Sequence, residues 1–571
     1  MKIIIVDNDP EDRDLRRLKD HLTDDLKWDV KWIRPSPGLS ETCSAIIKES
    51  DEADVLVVDI ALKQEEEAEL EYLSKSDTPV GSPERFGGMR ICLRISSELP
   101  NLPIVLFSKF EKLDLVRHVY WVGAKLFITK GTPSDAAGNM LRSLSRQVSI
   151  REPCLVDALD ERLRTEPKPW EAARVQAACG EYYKNIHSHR RFAILCAKME
   201  SPLAKVCASK TGMAEFVQYM IESHDLIAVS DPAVPDHIRH SGNVFFVGHY
   251  LLNTLEAFQL LERYPHYSEQ AFNATSGNDR FEQLNLAWLL ASLFHDSGYA
   301  LEHRKSVVAC LSRVAGINLP HKEKEIQKGL DVATEMKPLV NYCCRLGPAG
   351  ERVGAALAWI TSNWNQMVPT SEGKERRLLD HGVLSAARLL HLIRVSNASK
   401  SVQPVILQAA SAMALHNAVQ LKETFPVKEL SLLEEIPFSI FPVAAILAVC
   451  DTFQIWDREL SETAIPRDRD ALAVIEWVKR AYITSSRVVR FQWKRSSPGE
   501  TRWQGDVQIK YSLQHGEHSK DVCESLNASI TRWRTSGRGE AMSKLFSLGP
   551  VVQVRVSYWI PGTDDALVID F

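Results

Sequence analysis

Trp288-Leu-Leu-Ala-Ser-Leu-Phe-His295-Asp296-Ser-Gly298-Tyr299 is the stretch on which the reading of this chain turns. Its apolar run has the composition of a buried helix and brings an imidazole and a carboxylate, side by side, to the helix end. There Gly298 is expected to adopt the left-handed conformation of a C-cap. Polar groups at a buried helix end need partners. Neutral imidazole is a borderline-soft ligand and carboxylate a hard one, a mixture that suits Fe, Mn, Zn or Co. One His-Asp pair says little by itself, so the flanking sequence decides its meaning.

Upstream lies Asp236-His237-Ile-Arg-His240-Ser-Gly-Asn-Val244-Phe-Phe-Val247-Gly248-His249. On a continuous helix His240 and His249 fall half a turn apart and cannot both face one site. The face of His240 continues through Val244, Val247 and Leu251, and Gly248 beside it lets a neighbouring helix approach. The face of His249 runs to Asn253 and Glu256 instead. His240 is therefore the candidate ligand, with His237 one turn earlier as a supporting group. Downstream, His381 opens an apolar helix, His416 stands at the end of Ala409-Ala-Ser-Ala-Met-Ala-Leu-His416, and Asp451 interrupts Ala444-Ala-Ile-Leu-Ala-Val-Cys-Asp451. A buried carboxylate must be protonated, ion-paired or metal-bound. Five apolar helical stretches thus each deliver a hard or borderline ligand.

This ordered set resembles the HD superfamily of metal-dependent phosphohydrolases over roughly residues 225–465. The local patterns Asp-His-x-x-His-x-x-x-Val, Leu-Phe-His-Asp-x-Gly and Cys-Asp-x-x-Gln-x-Trp-x-Arg carry the likeness. The resemblance implies a first metal on His240, His295, Asp296 and Asp451, and a second on His381 and His416 with Asp296 bridging. His237, Gln454 and Arg458 would support the ligands from behind. Two cations about 3.5–4 Å apart clamp the attacking and leaving oxygens of a displacement at phosphorus and activate a bound water, so Asp296 and His381 are the expected catalytic centre. Some relatives bind phosphate through a lysine soon after His-Asp. Here Tyr299 follows the motif, and Arg304 (or Lys305) is the candidate substitute, with a solvated loop as the alternative reading.

The first 150 residues follow a different pattern. Lys2–Val6, Asp54–Asp59, Pro103–Ser108 and Lys125–Lys130 read as apolar strands alternating with helices, which argues for a parallel sheet with its ligand site at the carboxyl ends of the strands. Asp7, Asp59, Ser108 and Lys130 would meet there. That set resembles the receiver domain of response regulators. The likeness implies Asp7 and Asn8 at a Mg²⁺ site, Asp59 as phosphoacceptor, Ser108 as switch hydroxyl, Lys130 as the cation that senses the phosphoryl group, and a sensor histidine kinase or another phosphodonor as partner. Asn8 stands where the family usually has a second acid. An insertion of about twenty residues, 64–86, follows Asp59.

Composition bounds the rest. The chain has 571 residues, 45% apolar and 25% charged, with a formal net charge of −5. This is a folded multidomain chain with no electrostatic case for sequence-independent nucleic-acid binding. Its 11 cysteines form no CxxC pair, so neither a disulfide framework nor a thiolate zinc site is indicated. The N-terminus lacks the apolar core of a signal peptide, and no apolar run reaches membrane-spanning length. A cytoplasmic location is expected, and a homo-oligomer stays open. Four segments result: an α/β receiver with a doubly wound five-stranded parallel sheet (1–150), a helical connector (151–224), an all-α HD domain (225–465) and a small α+β C-terminal domain (466–571) with paired strands and a helical stretch near 519–546. The functional expectation is receiver-regulated hydrolysis of a phosphate ester, a nucleotide or cyclic (di)nucleotide. A nucleoside triphosphohydrolase of the HD class, with antiviral defence as a role it could serve, and a non-enzymatic signalling scaffold with a structural metal cluster are the alternatives.

Overall fold

A computed structural model describes residues 1–62, 87–108, 124–141, 155–206, 237–254, 277–299 and 331–453, with short gaps inside these ranges. It also describes isolated positions between them and strands at 483–495, 503–513, 552–559 and 567–570. The insertion at 64–86, the stretch 519–546, and Arg304, Lys305, Gln454 and Arg458 lie outside the described residues.

β1 (Lys2–Val6), β2 (Asp29–Ile33), β3 (Val55–Asp59), β4 (Ile104–Ser108) and β5 (Leu126–Thr129) form one sheet in the order β2-β1-β3-β4-β5, every neighbouring pair parallel. Alternate side chains serve opposite faces. Ile4, Val6, Leu56 and Leu106 pack against α2 (Leu39–Glu49) and α3 (Gly87–Glu98). Ile3, Ile5, Val57 and Phe107 pack against α1 (Arg13–Asp20). Burial on both faces is why these central strands read as unbroken apolar runs. β2 differs: Asp29-Val-Lys-Trp-Ile alternates from exposed to part-buried positions as the strand at the sheet edge. The strand order reverses between β1 and β3, and their carboxyl ends carry Asp7 and Asp59.

The remaining described helices share one core that extends from Leu155 to Cys450. α4 (Ala172–Lys184) and α5 (Ser188–Lys198), within the expected connector, contribute Tyr182 and Phe192 to it. No separate core divides them from α7 (His237–Thr254) and α8 (Gly277–Phe294), which follow α6 (Glu200–Val206). The Tyr182 hydroxyl donates to the Arg239 carbonyl at 2.7 Å and so fastens α4 to α7. The helices α9 (Val332–Cys344), α10 (Gly347–Asn363), α11 (His381–Ile393), α12 (Gln403–Leu415) and α13 (Pro442–Phe453) complete the part of the body that matters here. Toward the N-terminal sheet, the Arg190 guanidinium of α5 donates to the Ser96 carbonyl and, at 3.2 Å, to the Ser96 hydroxyl of α3.

The C-terminal segment contains a four-stranded sheet in the order β11-β10-β9-β8, from β8 (Ile483–Arg495), β9 (Trp503–Leu513), β10 (Val552–Trp559) and β11 (Leu567–Asp570). β8 and β9 pair antiparallel, as do β10 and β11, while β9 and β10 run parallel. Among the described residues no helix is long and apolar enough to cross a membrane.

Candidate metal centre

α8 ends at Phe294, and His295 to Gly298 form a turn that places His295 and Asp296 at the centre of the helical body. Gly298 does not play the expected part of a left-handed cap. Among the described glycines only Gly347 and Gly373 have positive φ. Gly298 is glycine because of close approach: a Cβ there would lie 2.2 Å from the His381 carbonyl oxygen and 2.8 Å from the Ser385 nitrogen. Its own N–H donates to the Ser385 hydroxyl at 2.7 Å, locking the turn against the first turn of α11. His381 opens that helix, and Asp380 caps it by accepting from the Val383 N–H at 2.9 Å.

Five elements converge here. The His240 Nε2 of α7 lies 3.3 Å from His295 Nε2 and 2.7 Å from the Asp451 Oδ1 of α13. His295 Nε2 lies 3.4 Å from Asp296 Oδ1 and 3.7 Å from Asp451 Oδ1. His381 Nε2 stands 3.5 Å from Asp296 Oδ1 and 3.2 Å from the Nε2 of His416, the residue that closes α12. Two groups have ligand atoms all within 4.8 Å of one another, His240-His295-Asp296 and Asp296-His381-His416, and each could hold a metal ion. Asp296 belongs to both. His237 supports it from behind, with Nδ1 2.7 Å from Asp296 Oδ2. His249 lies on the other side of α7, where its ring stacks near Phe245 and Asn253 hydrogen-bonds to it. Asn417, which the sequence reading passes over, donates to Asp380 at 3.1 Å and to His381 Nε2 at 3.0 Å.

The donor set fits cations. His295 Nδ1 faces the Ser292 carbonyl at 2.9 Å and His416 Nδ1 the Met413 carbonyl at 2.6 Å. A carbonyl can only accept, so the ring proton belongs on Nδ1 in both and each Nε2 presents a lone pair to the cluster. That is the tautomer a metal-binding imidazole needs, fixed by an outer hydrogen bond. Lone pairs and carboxylate oxygens packed this closely repel unless a cation or protons lie among them. Burial pushes the Asp296 carboxyl up, but the neighbouring His295, His237 and His240 imidazoles outweigh it and hold the group well below the usual carboxylate range. Asp451 is likewise held low against its burial by His240 and His295. His295 shows the converse, raised by Asp296 and Asp451 against burial that lowers it. Burial, then His381, pushes His416 down to about 4. The Asp451 side chain is 22% exposed and Tyr299 half-buried, whereas the His240 and His295 side chains are fully buried.

A second polar cluster sits at the carboxyl edge of the N-terminal sheet. Lys130 Nζ reaches Asp59 Oδ2 at 3.1 Å, Asp12 Oδ2 at 3.2 Å and Asp7 Oδ2 at 3.3 Å. Ser108 is buried at the end of β4, its carbonyl accepting from the Lys130 N–H at 2.9 Å. Asn8 is exposed. The acid beside Lys130 is instead Asp12, whose other oxygen caps α1 by accepting from the Asp14 and Leu15 N–H groups. Burial raises Asp7 to about 6, although the Asp9 N–H and Lys130 pull it down. Asp59 and Asp7 raise Lys130 despite its burial. Gly88 opens α3 directly on this site, since a Cβ there would sit 1.9 Å from the Asp59 carbonyl oxygen.

Neither a scan against protein-family models nor a search of curated proteins returns a match for this chain.

Proposed function

We propose that this chain is a metal-dependent phosphohydrolase of the HD type, governed by its receiver-like N-terminal unit and acting on a nucleotide or cyclic (di)nucleotide. The observation that carries the reading is the pair of buried ligand groups sharing Asp296. His240, His295, Asp296 and Asp451 would hold one divalent transition-metal ion (Fe, Mn, Zn or Co), and Asp296, His381 and His416 a second. Ions held there would supply an acidified water and charge stabilisation at the phosphoryl oxygens. The residues themselves do three things. His237 fixes the Asp296 carboxylate by its 2.7 Å contact. The Ser292 and Met413 carbonyls orient His295 and His416. The partly exposed Asp451 side marks where substrate reaches the cluster. In the receiver-like unit, Asp59 is the proposed phosphoacceptor and Mg²⁺ its cation, with a sensor kinase or small phosphodonor as source.

Metal analysis of the purified chain, combined with phosphate release from a panel of nucleotides and cyclic dinucleotides, tests this. Wild type should contain transition metal and cleave at least one substrate, and Asp296→Ala should lose both, with turnover reduced at least a thousandfold. Release of a nucleoside monophosphate from a cyclic substrate marks a phosphodiesterase, and release of tri- or pyrophosphate a triphosphohydrolase. A metal-free protein inert toward the whole panel leaves only a signalling scaffold.

A further inference from the structure

Tyr299 lies where the imidazoles on either side of Asp296 meet. Its ring centroid is 3.8 Å from that of His237, with the planes inclined by 30°, and 3.9 Å from that of His381, inclined by 28°. Both faces of the phenol are therefore covered, each by a histidine that addresses a different oxygen of the same carboxylate. His237 Nδ1 is 2.7 Å from Asp296 Oδ2, and His381 Nε2 is 3.5 Å from Asp296 Oδ1. The backbone leaves the tyrosine little freedom. Its N–H donates to the Asp296 carbonyl at 3.1 Å, and the preceding Gly298 is pressed onto α11 and bonded to Ser385.

We infer that Tyr299 is a positioning residue for the second ion site, an aromatic spacer that holds His237 and His381 apart so that His237 stays on Asp296 Oδ2 and Oδ1 is left facing His381 and His295. A ring with both faces occupied cannot stack on a nucleobase. A flat spacer restricts the two imidazoles to rotation in their own planes. Of the two groups, Asp296-His381-His416 depends on it more directly, because His381 is a ligand in that group whereas His237 only supports Asp296.

The inference rests on the proposed metal site, and the test separates the two. Full-length wild type, Tyr299→Phe and Tyr299→Leu are titrated with Mn²⁺ alone, with bound ions counted after gel filtration and coupling between two ions followed by electron paramagnetic resonance. No substrate is needed. Wild type should take two ions. Tyr299→Phe, which keeps the flat ring, should bind both within about twofold of wild type. Tyr299→Leu should bind the weaker ion at least tenfold less tightly, lose the coupled signal and keep the tighter ion. If the leucine chain does not fold, as judged by circular dichroism, Tyr299→Met replaces it. Equal binding by wild type and the leucine or methionine chain overturns the spacer alone. Loss in Tyr299→Phe as large as in Tyr299→Leu overturns it too and gives the role to the hydroxyl. A wild type that takes up no ion overturns the metal reading and the spacer together.

Discussion

His416 is pulled both ways, since burial and the His381 imidazole expel a proton while Asp451 and Asp296 attract one, and the outcome is a group that stays neutral down to about pH 4. In the unfolded chain the same imidazole takes its proton near 6.5, the ordinary value for histidine. The folded state therefore binds fewer protons than the unfolded state between these values, and its stability falls as pH drops through that window. Asp296 and Asp451, held below 3.8, contribute stability that is lost only at more acid pH. His295, being raised, contributes in the opposite direction, with stability lost as pH rises. A variant isolates the effect. The metal-free His416→Gln chain should lose Tm less steeply than wild type from pH 6.5 to 4, and parallel curves would remove His416 from the acid lability. The six ligand candidates were readable from sequence because a titratable residue inside an apolar helix has few ordinary uses. Asp12 and Tyr299 were not, because one reads as a helix cap and the other as any aromatic until distant segments are brought together. Gly298 was singled out for the wrong physical reason, a backbone angle in place of a contact.

Two glycines inside helices show how closely the elements are fitted. Gly248 of α7 faces Trp288 of α8, and a Cβ there would sit 1.9 Å from the indole Cζ2. The indole cannot retreat, being fully buried with its Nε1–H donating to the Phe245 carbonyl at 3.0 Å. Gly180 of α4 has nothing within 4 Å of its Cβ position. Gly248→Ala should therefore cost about 1–3 kcal/mol through overpacking. Gly180→Ala should stabilise by about 0.5–1 kcal/mol, because glycine in a helix interior carries excess backbone entropy into the unfolded state. Denaturant midpoints of the two variants check both signs. The close approach at Gly248 is legible beforehand from glycine beside the histidine face. Of the N-terminal sheet, β1, β3, β4 and β5 are legible as apolar runs. β2 is passed over by that criterion because its Asp29-Val-Lys-Trp-Ile pattern belongs to an edge, with polar side chains toward solvent.

Over the whole molecule, the two polar clusters are joined by a short path of solid contacts. α3 begins on the Asp59 carbonyl at Gly88, its far end is held at Ser96 by Arg190 of α5, and α5 packs on α7, which carries His237 and His240. On the proposed function, a small phosphodonor such as acetyl phosphate should change turnover in wild type but not in Asp59→Ala. Arg190→Ala should keep basal turnover and lose most of the response. Equal responses in all three chains would place control elsewhere. This route was illegible in the sequence, since nothing about Arg190 or Ser96 taken singly marks a junction between units. The spacing of the ligands has a consequence for biosynthesis. His240 and Asp451 touch across 211 positions of the chain, so a ribosome has finished almost the entire helical body before the last ligand emerges. On the proposed function, a nascent chain would carry both three-donor groups before Asp451 emerges, so this last carboxylate would complete the first ion's surroundings only as the helical body closes.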